Sequence, residues 1–198
     1  MLFPSNMADL RGLFQIIRFI FLIFIPAISM RLLSEEKRSG TIEILGTMPI
    51  NDWQLVMGKF IPALILMVIT LILTLGNYFI VNYLGDPDSG ATFGGYLGLF
   101  LLSATYLSIG LFTSSLSKNQ IVAFILAFAI IFLFTMFNFL KFYVSGFLAS
   151  ILEFLSTDYH FEAIQRGVLD TRNLIFYITL TFVFLFLTVQ MIQSRKWR

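Results

Sequence analysis

Charge is scarce in this sequence. Only 12% of its 198 residues are Asp, Glu, Lys or Arg, about half the share of roughly 25% that a soluble domain carries. Cysteine is absent and histidine occurs once, at His160. The first absence excludes disulfides and thiol catalysis. The single histidine excludes a multi-His metal site and a two-His protease motif. No Gly-x-x-x-x-Gly-Lys-Ser/Thr string occurs, so the chain has no phosphate-cradling loop of its own. The net charge of +2 is dispersed, with no long basic block, which argues against nucleic acid as a partner.

What is abundant is hydrocarbon. Hydrophobic residues make up 58% of the chain and phenylalanine alone accounts for 24 positions; mean hydropathy is +0.89. One soluble core cannot hide that much apolar surface, so the expected solvent is lipid, and a bilayer-crossing helix needs roughly 20 apolar residues. Five stretches qualify: 13–30, 60–81, 96–114, 121–140 and 174–192. The expected class is an all-α integral membrane protein with five transmembrane helices. Arg18 lies inside the first stretch and is read as snorkelling to the nearby headgroups. Asn77, Asn138, Ser103, Thr105, Ser108 and Thr135 are polar at membrane depth. Asn77 and Asn138 are candidate pathway residues, although self-satisfaction and helix glue are the plainer readings.

Orientation follows the basic residues. Arg31, Lys37, Arg38 and Lys59 follow the first span, Lys118 follows the third, and Arg195, Lys196 and Arg198 close the chain. The loop after the second span has only Asp86 and Asp88. This pattern places the first and third loops and the C-terminus in the cytoplasm and the N-terminus outside, against the mild counter-signal of Arg11 and Arg18. A cleaved signal peptide ending near Ala27-Ile28-Ser29 is the less favoured reading, because cleavage would remove the anchor that holds the basic loop inside.

The wettest segment is 26–60. Helix is expected to run on past Arg31 to about Arg38, with Gly40 as a left-handed C-terminal stop. Thr41 then opens a short amphipathic helix with Ile42, Leu45 and Met48 on one side and Glu43 and Thr47 on the other. Pro49 ends it, and Asn51 with Gln54 forms a capping box for the next helix. Trp53 and Lys59 suit a membrane boundary. Such a helix, fixed between two spans, is a handle for a soluble partner.

The residues themselves carry a resemblance. Pro26-Ala27-Ile28-Ser29-Met30-Arg31, Glu35-Glu36-Lys37-Arg38-Ser39-Gly40-Thr41-Ile42-Glu43-Ile44-Leu45, Pro49 and Gly58-Lys59 together resemble the first cytoplasmic loop of ABC-2 type transporter permeases. The resemblance implies that Glu35, Glu36, Arg38, Gly40, Thr41, Glu43, Leu45 and Pro49 contact an ABC ATPase subunit. ATP and Mg would then reside on that partner, with no cofactor in this chain. It also implies a second permease copy or a related membrane subunit, and a bacterial inner-membrane location. Ser114-Ser115-Leu116-Ser117-Lys118-Asn119-Gln120, Asp158-Tyr159-His160-Phe161, Arg166-Gly167-Val168-Leu169-Asp170 and Arg195-Lys196-Trp197 extend the likeness to the gliding-motility-associated permease subunit. Six spans are usual in the family, so residues 1–198 resemble a single ABC-2 transmembrane domain without its first span, either truncated at its start or a version that lacks that helix. Export is the expected function. The alternatives are an ATPase-driven membrane subunit that transmits force without moving solute and, much less favoured, an intramembrane protease. The protease needs more histidines than the sequence has, and Glu35-Glu36 stands one residue from Arg38 where that family has three.

Smaller motifs complete the reading. Ser117 with Gln120 suggests a capping box opening the fourth span. Gly94 and Gly98 suggest close helix approach or a flexible loop end. Residues 143–155 form an apolar stretch too short to cross, hence an interfacial or re-entrant helix. Asp158 is a candidate cap for a second short helix over 159–168, and His160 is read as a hydrogen-bonded loop residue.

Overall fold

The computed structural model describes residues 10–41, 50–85, 88–144, 146–168 and 170–196, and no strand occurs among them. The elements are α1 (Arg11–Ser29), α2 (Arg31–Ser39), α3 (Asp52–Leu84), α4 (Ser89–Leu116), α5 (Gln120–Leu140), a 3₁₀ turn (Lys141–Tyr143), α6 (Phe147–Leu155), α7 (Thr157–Gln165) and α8 (Thr171–Lys196). Five segments are long and apolar enough to cross a membrane: α1 with α2, then α3, α4, α5 and α8. At about 1.5 Å per residue, the 33 residues of α3 reach about 50 Å, well beyond a hydrocarbon layer of roughly 30 Å.

α4 is the central helix, and its composition explains why. It is rich in Gly, Ser, Thr and Ala, residues that let backbones approach closely where lipid supplies no hydrophobic drive between helices. A Cβ on Gly95 would overlap the Phe14 ring, and one on Gly110 would overlap the Ser29 hydroxyl, so these glycines set the distance to α1. Hydroxyls bind α4 to the other spans. The Tyr96 hydroxyl donates to the Thr74 carbonyl at 3.1 Å on α3, and Tyr106 Oη meets Thr135 Oγ1 at 3.2 Å on α5. Thr105 Oγ1 donates to the Tyr177 carbonyl at 3.3 Å and meets Thr181 Oγ1 at 3.0 Å on α8. Such bonds average about 0.6 kcal/mol each inside membranes, so they orient the helices more than they hold them.

Ser103 and Ser108 donate to the carbonyls of Phe100 and Thr105 on their own helix, both at 2.7 Å. The polar residues of α4 and Thr135 are therefore glue or self-satisfied, as the sequence suggested. The outer spans bury one stripe and expose the rest: Ile16, Phe19 and Ile23 on α1, Ile69 and Leu73 on α3, Ile125 on α5. These faces suit hydrocarbon.

Helix boundaries hold two corrections. Asn119, not Ser117, caps α5: its Oδ1 accepts from the Ile121 N–H at 2.9 Å, while Ser117 Oγ accepts from the Asn119 N–H at 3.0 Å. Ser156, not Asp158, caps α7, accepting from the Tyr159 N–H at 3.4 Å. A hydroxyl or amide in extended backbone just before the first turn is the geometry a cap needs. Asp158 already stands inside α7. The expected box at Asn51 is present, with the Asn51 N–H donating to Gln54 Oε1 at 3.0 Å.

α6 and α7 are the two short helices between α5 and α8, and α7 packs against α4. Gly94 on α4 faces the Ile164 carbonyl and Gly98 faces the Phe161 ring, both on α7. Gly94 and Gly98 thus serve close approach, and their partner is this short helix rather than another span. The Tyr177 hydroxyl donates to the Thr157 carbonyl at 2.7 Å. The start of α7 is level with Arg18, roughly 10 Å down α1 from its first residue by helical rise.

Candidate functional site

Two polar clusters stand at opposite ends of the bundle. The first is built on α2. Met30 interrupts the ladder between α1 and α2, and α2 then turns Leu33, Ser34 and Lys37 inward and Glu35, Arg38 and Ser39 outward. Lys37 and Arg38 occupy the last turn of α2, where cations complement the helix dipole. Gly40 ends the helix at φ 76°, a left-handed stop that glycine adopts without steric cost. Both the run-on of helix past Arg31 and the stop at Gly40 match the sequence reading.

Glu36 differs from its expected role. It is ion-paired to Lys59 on α3, and both side chains are largely covered. The pair ties α2 to the start of α3, so Glu36 is a brace rather than a free contact. Trp53 stacks on Phe182 of α8 with ring centroids 5.7 Å apart, which fixes the same end of α3 from the other side. Glu35, Arg38 and Thr41 remain exposed. The Thr41 hydroxyl meets Ser39 Oγ at 2.9 Å and donates to the Glu36 carbonyl at 3.4 Å. Glu43, Leu45 and Pro49, together with the short helix expected over 42–48, lie outside the described residues.

The second cluster corrects the reading of Arg18. Its guanidinium turns into the bundle rather than out of it. Arg18 is buried, with Nη1 3.3 Å from Asp158 Oδ1 on α7. The guanidinium carbon also lies 5.2 Å from the Phe19 ring centroid and 5.6 Å from that of Phe161, within cation–π range. Burial pushes the Asp158 carboxyl up to about 6; Arg18 draws it down and Glu162 pushes it further up. Desolvation therefore outweighs a single, poorly aligned cation.

His160 stands two residues after Asp158, about 200° round α7, on a helix rather than in a loop. Its Nε2 lies 2.9 Å from the Phe154 carbonyl and its Nδ1 2.7 Å from Asn173 Oδ1. It stacks on Phe176 at 4.0 Å. It is hydrogen-bonded, as expected, and it fastens α7 to α8. Asn77 is exposed on α3 and Asn138 is half-buried on α5. α3 packs on α4 and α8, whereas α5 packs on α1, α2, α4, α6 and α7, so the two asparagines are not brought together.

A family model described as "ABC-2 family transporter protein" matches residues 3–196. The chain belongs to the ABC-2 transporter family. It is accordingly a multi-pass membrane permease subunit of the ABC transporter type, and the all-α bundle with five candidate spans is the architecture expected of it. Searches of curated proteins and of solved structures return no match. In this ABC-2 subunit, three structural contacts escaped the sequence reading: the Glu36–Lys59 brace, the Arg18–Asp158 pair and the bonds from the Leu33 and Ser34 N–H groups of α2 to Ser114 Oγ on α4. The first had a signal in the Gly58-Lys59 motif. The other two join residues far apart in the chain, for which one sequence carries no signal.

Proposed function

We propose that a separate ATP-hydrolysing subunit docks on α2 and the segment after it, and that its movement drives export across the membrane. The observation that carries this reading is the construction of α2. One face is anchored to the bundle and braced through Glu36 and Lys59, while the opposite face presents Glu35, Arg38 and Thr41 outward. A soluble partner gripping that face moves a rigid element rather than a loose loop. The resemblance adds Glu43, Leu45 and Pro49 to the residues expected to contact that subunit. Two membrane subunits would flank the path, and the likeness of 158–170 to gliding-motility permeases supports a role in that setting.

Reversing the outward charges tests the assignment. Glu35→Lys with Arg38→Glu is expected to weaken association with the ATPase subunit about tenfold, roughly 1.4 kcal/mol, while leaving the melting temperature unchanged. Pull-down of the ATPase subunit with detergent-solubilised permease measures it, and undiminished binding rejects the docking surface. Glu36→Lys is expected to lower the melting temperature as well, because it leaves Lys59 facing a like charge.

The proposed orientation puts the α2 end in the cytoplasm. Ser89 and Ser117 bracket α4 at its two ends, and the natural chain has no cysteine. In intact cells, Ser89→Cys is expected to react with an impermeant maleimide and Ser117→Cys only after lysis. The reverse pattern inverts the topology.

A further inference from the structure

Ser114, near the end of α4, makes an unusual set of bonds. Its Oγ accepts from the Leu33 N–H at 3.0 Å and from the Ser34 N–H at 2.9 Å, and its hydroxyl donates to the Met30 carbonyl at 3.0 Å. One hydroxyl offers one donor and two acceptor sites, so Ser114 spends its whole capacity on α2. The backbone groups it satisfies are those left open by the break after α1. In an unbroken helix the Leu33 N–H would reach the Ser29 carbonyl and the Ser34 N–H the Met30 carbonyl. Met30 itself still donates to the Pro26 carbonyl at 2.9 Å, so α1 is intact to that point and the interruption is one turn long. A side chain inserted into the ladder is a recognised cause of such a break. Gly110, one turn before Ser114, gives the junction room, since a Cβ there would strike Ser29.

We infer that Ser114 is the positioning residue that joins α2 to α4, so that a displacement delivered at α2 is carried into the central helix of the bundle. The consequence for coupling rests on the docking reading above; the joint itself does not. α2 also packs on α5 and touches the bundle through the Glu36–Lys59 pair, but that pair leads to α3, whose outward face is mostly exposed apolar surface. Ser114 leads to α4, which packs on α1, α3, α5, α7 and α8. Removing the hydroxyl strands the Leu33 and Ser34 N–H groups, and the Ser34 N–H can then turn to the Met30 carbonyl, which the Ser34 hydroxyl also meets; that return to the helical ladder straightens α1 into α2 and swings the outward face of α2 away from α4.

Spin labels at Ser39→Cys and Lys118→Cys read the joint directly, because no native cysteine competes, both positions are exposed and neither is among the docking residues named above. In lipid nanodiscs without any ATPase, the wild-type pair is expected to give one narrow distance distribution. Ser114→Ala is expected to shift or broaden it by several ångströms. Ser114→Thr keeps the hydroxyl and should behave as wild type, whereas Ser114→Val, of the same shape, should behave as alanine. Ser115→Ala is the control, since Ser115 is equally buried but donates only to the Phe112 carbonyl of its own helix, at 2.6 Å. A valine variant with the threonine variant's distribution overturns the joint.

With the ATPase subunit bound and trapped by ADP and vanadate, the 39–118 distance should stay constant in the otherwise wild-type protein and change in Ser114→Ala, with both proteins retaining the partner. A wild-type distance that changes on trapping overturns the inference. Failure of the wild type to bind the ATPase subunit would instead remove the docking reading and leave the nanodisc result standing.

Discussion

Arg18→Ala is expected to lower the melting temperature of the detergent-solubilised protein by roughly 6–20 °C. The estimate combines about 3–5 kcal/mol for stranding one member of a buried ion pair with about 2–4 °C per kcal/mol for a chain of this size. Arg18 and Asp158 are 8% and 1% exposed, so neither charge finds water when its partner is removed. Asp158→Ala should cost at least as much, because the guanidinium cannot shed its proton, whereas the Asp158 carboxyl, already pushed up to about 6, can take one. The informative variant is the double one. Arg18→Met with Asp158→Leu removes both charges and fills the space, and it is expected to be more stable than either single variant. Additive losses in the cycle would show that the two residues act independently.

The raised titration of Asp158 fixes the sign of a pH effect. In the unfolded chain the carboxyl titrates near its model value of 3.8, and in the folded protein near about 6. Between those values the folded form holds a proton that the unfolded form has lost. Its contribution to stability is therefore fully present below about pH 4 and fades as pH rises through about 6. Asp158→Asn should flatten the wild-type slope of melting temperature across that window. An unchanged slope would assign the pH response to other groups.

This pair also shows where one sequence stops informing. Each membrane span was legible because 20 apolar residues in a row have few other readings. The caps at Gly40 and Asn51 were legible because they depend on residues within four positions. Arg18 was misread because its partner lies 140 positions later, on a helix that first has to fold back into the bundle. Snorkelling is a sound inference for an arginine near a helix end, and it fails here because α7 brings a carboxylate down to it. Ser114 was visible only as one of several serines in a turn. What selects it over Ser115 is a rotation of about 100° around α4, since 3.6 residues make a turn, and that rotation is set by packing.

The same folding back makes glycines on α4 decisive, with unequal costs. Gly94→Ala places a methyl against the Ile164 carbonyl, which is backbone and has Gly167 Cα 3.4 Å from the same point. Gly98→Ala meets the edge of the Phe161 ring at 3.2 Å, and a ring can yield a few tenths of an ångström. Alanine gains about 1 kcal/mol over glycine inside a helix, while overpacking costs about 1–3 kcal/mol or more. The two terms nearly cancel at Gly98, so Gly98→Ala should melt within a few degrees of wild type. At Gly94 the clash dominates, and α7 has to shift away from α4. That shift draws Asp158 away from Arg18, so part of the cost of Gly94→Ala is the ion pair itself. Gly94→Ala should therefore be strongly destabilising alone and less than additive with Arg18→Ala. Thermal melts of the two single variants and the double variant measure this. Full additivity would mean that α7 is held to α1 and to α4 by independent contacts, and a neutral Gly94→Ala would mean that α7 does not lie against α4 as described.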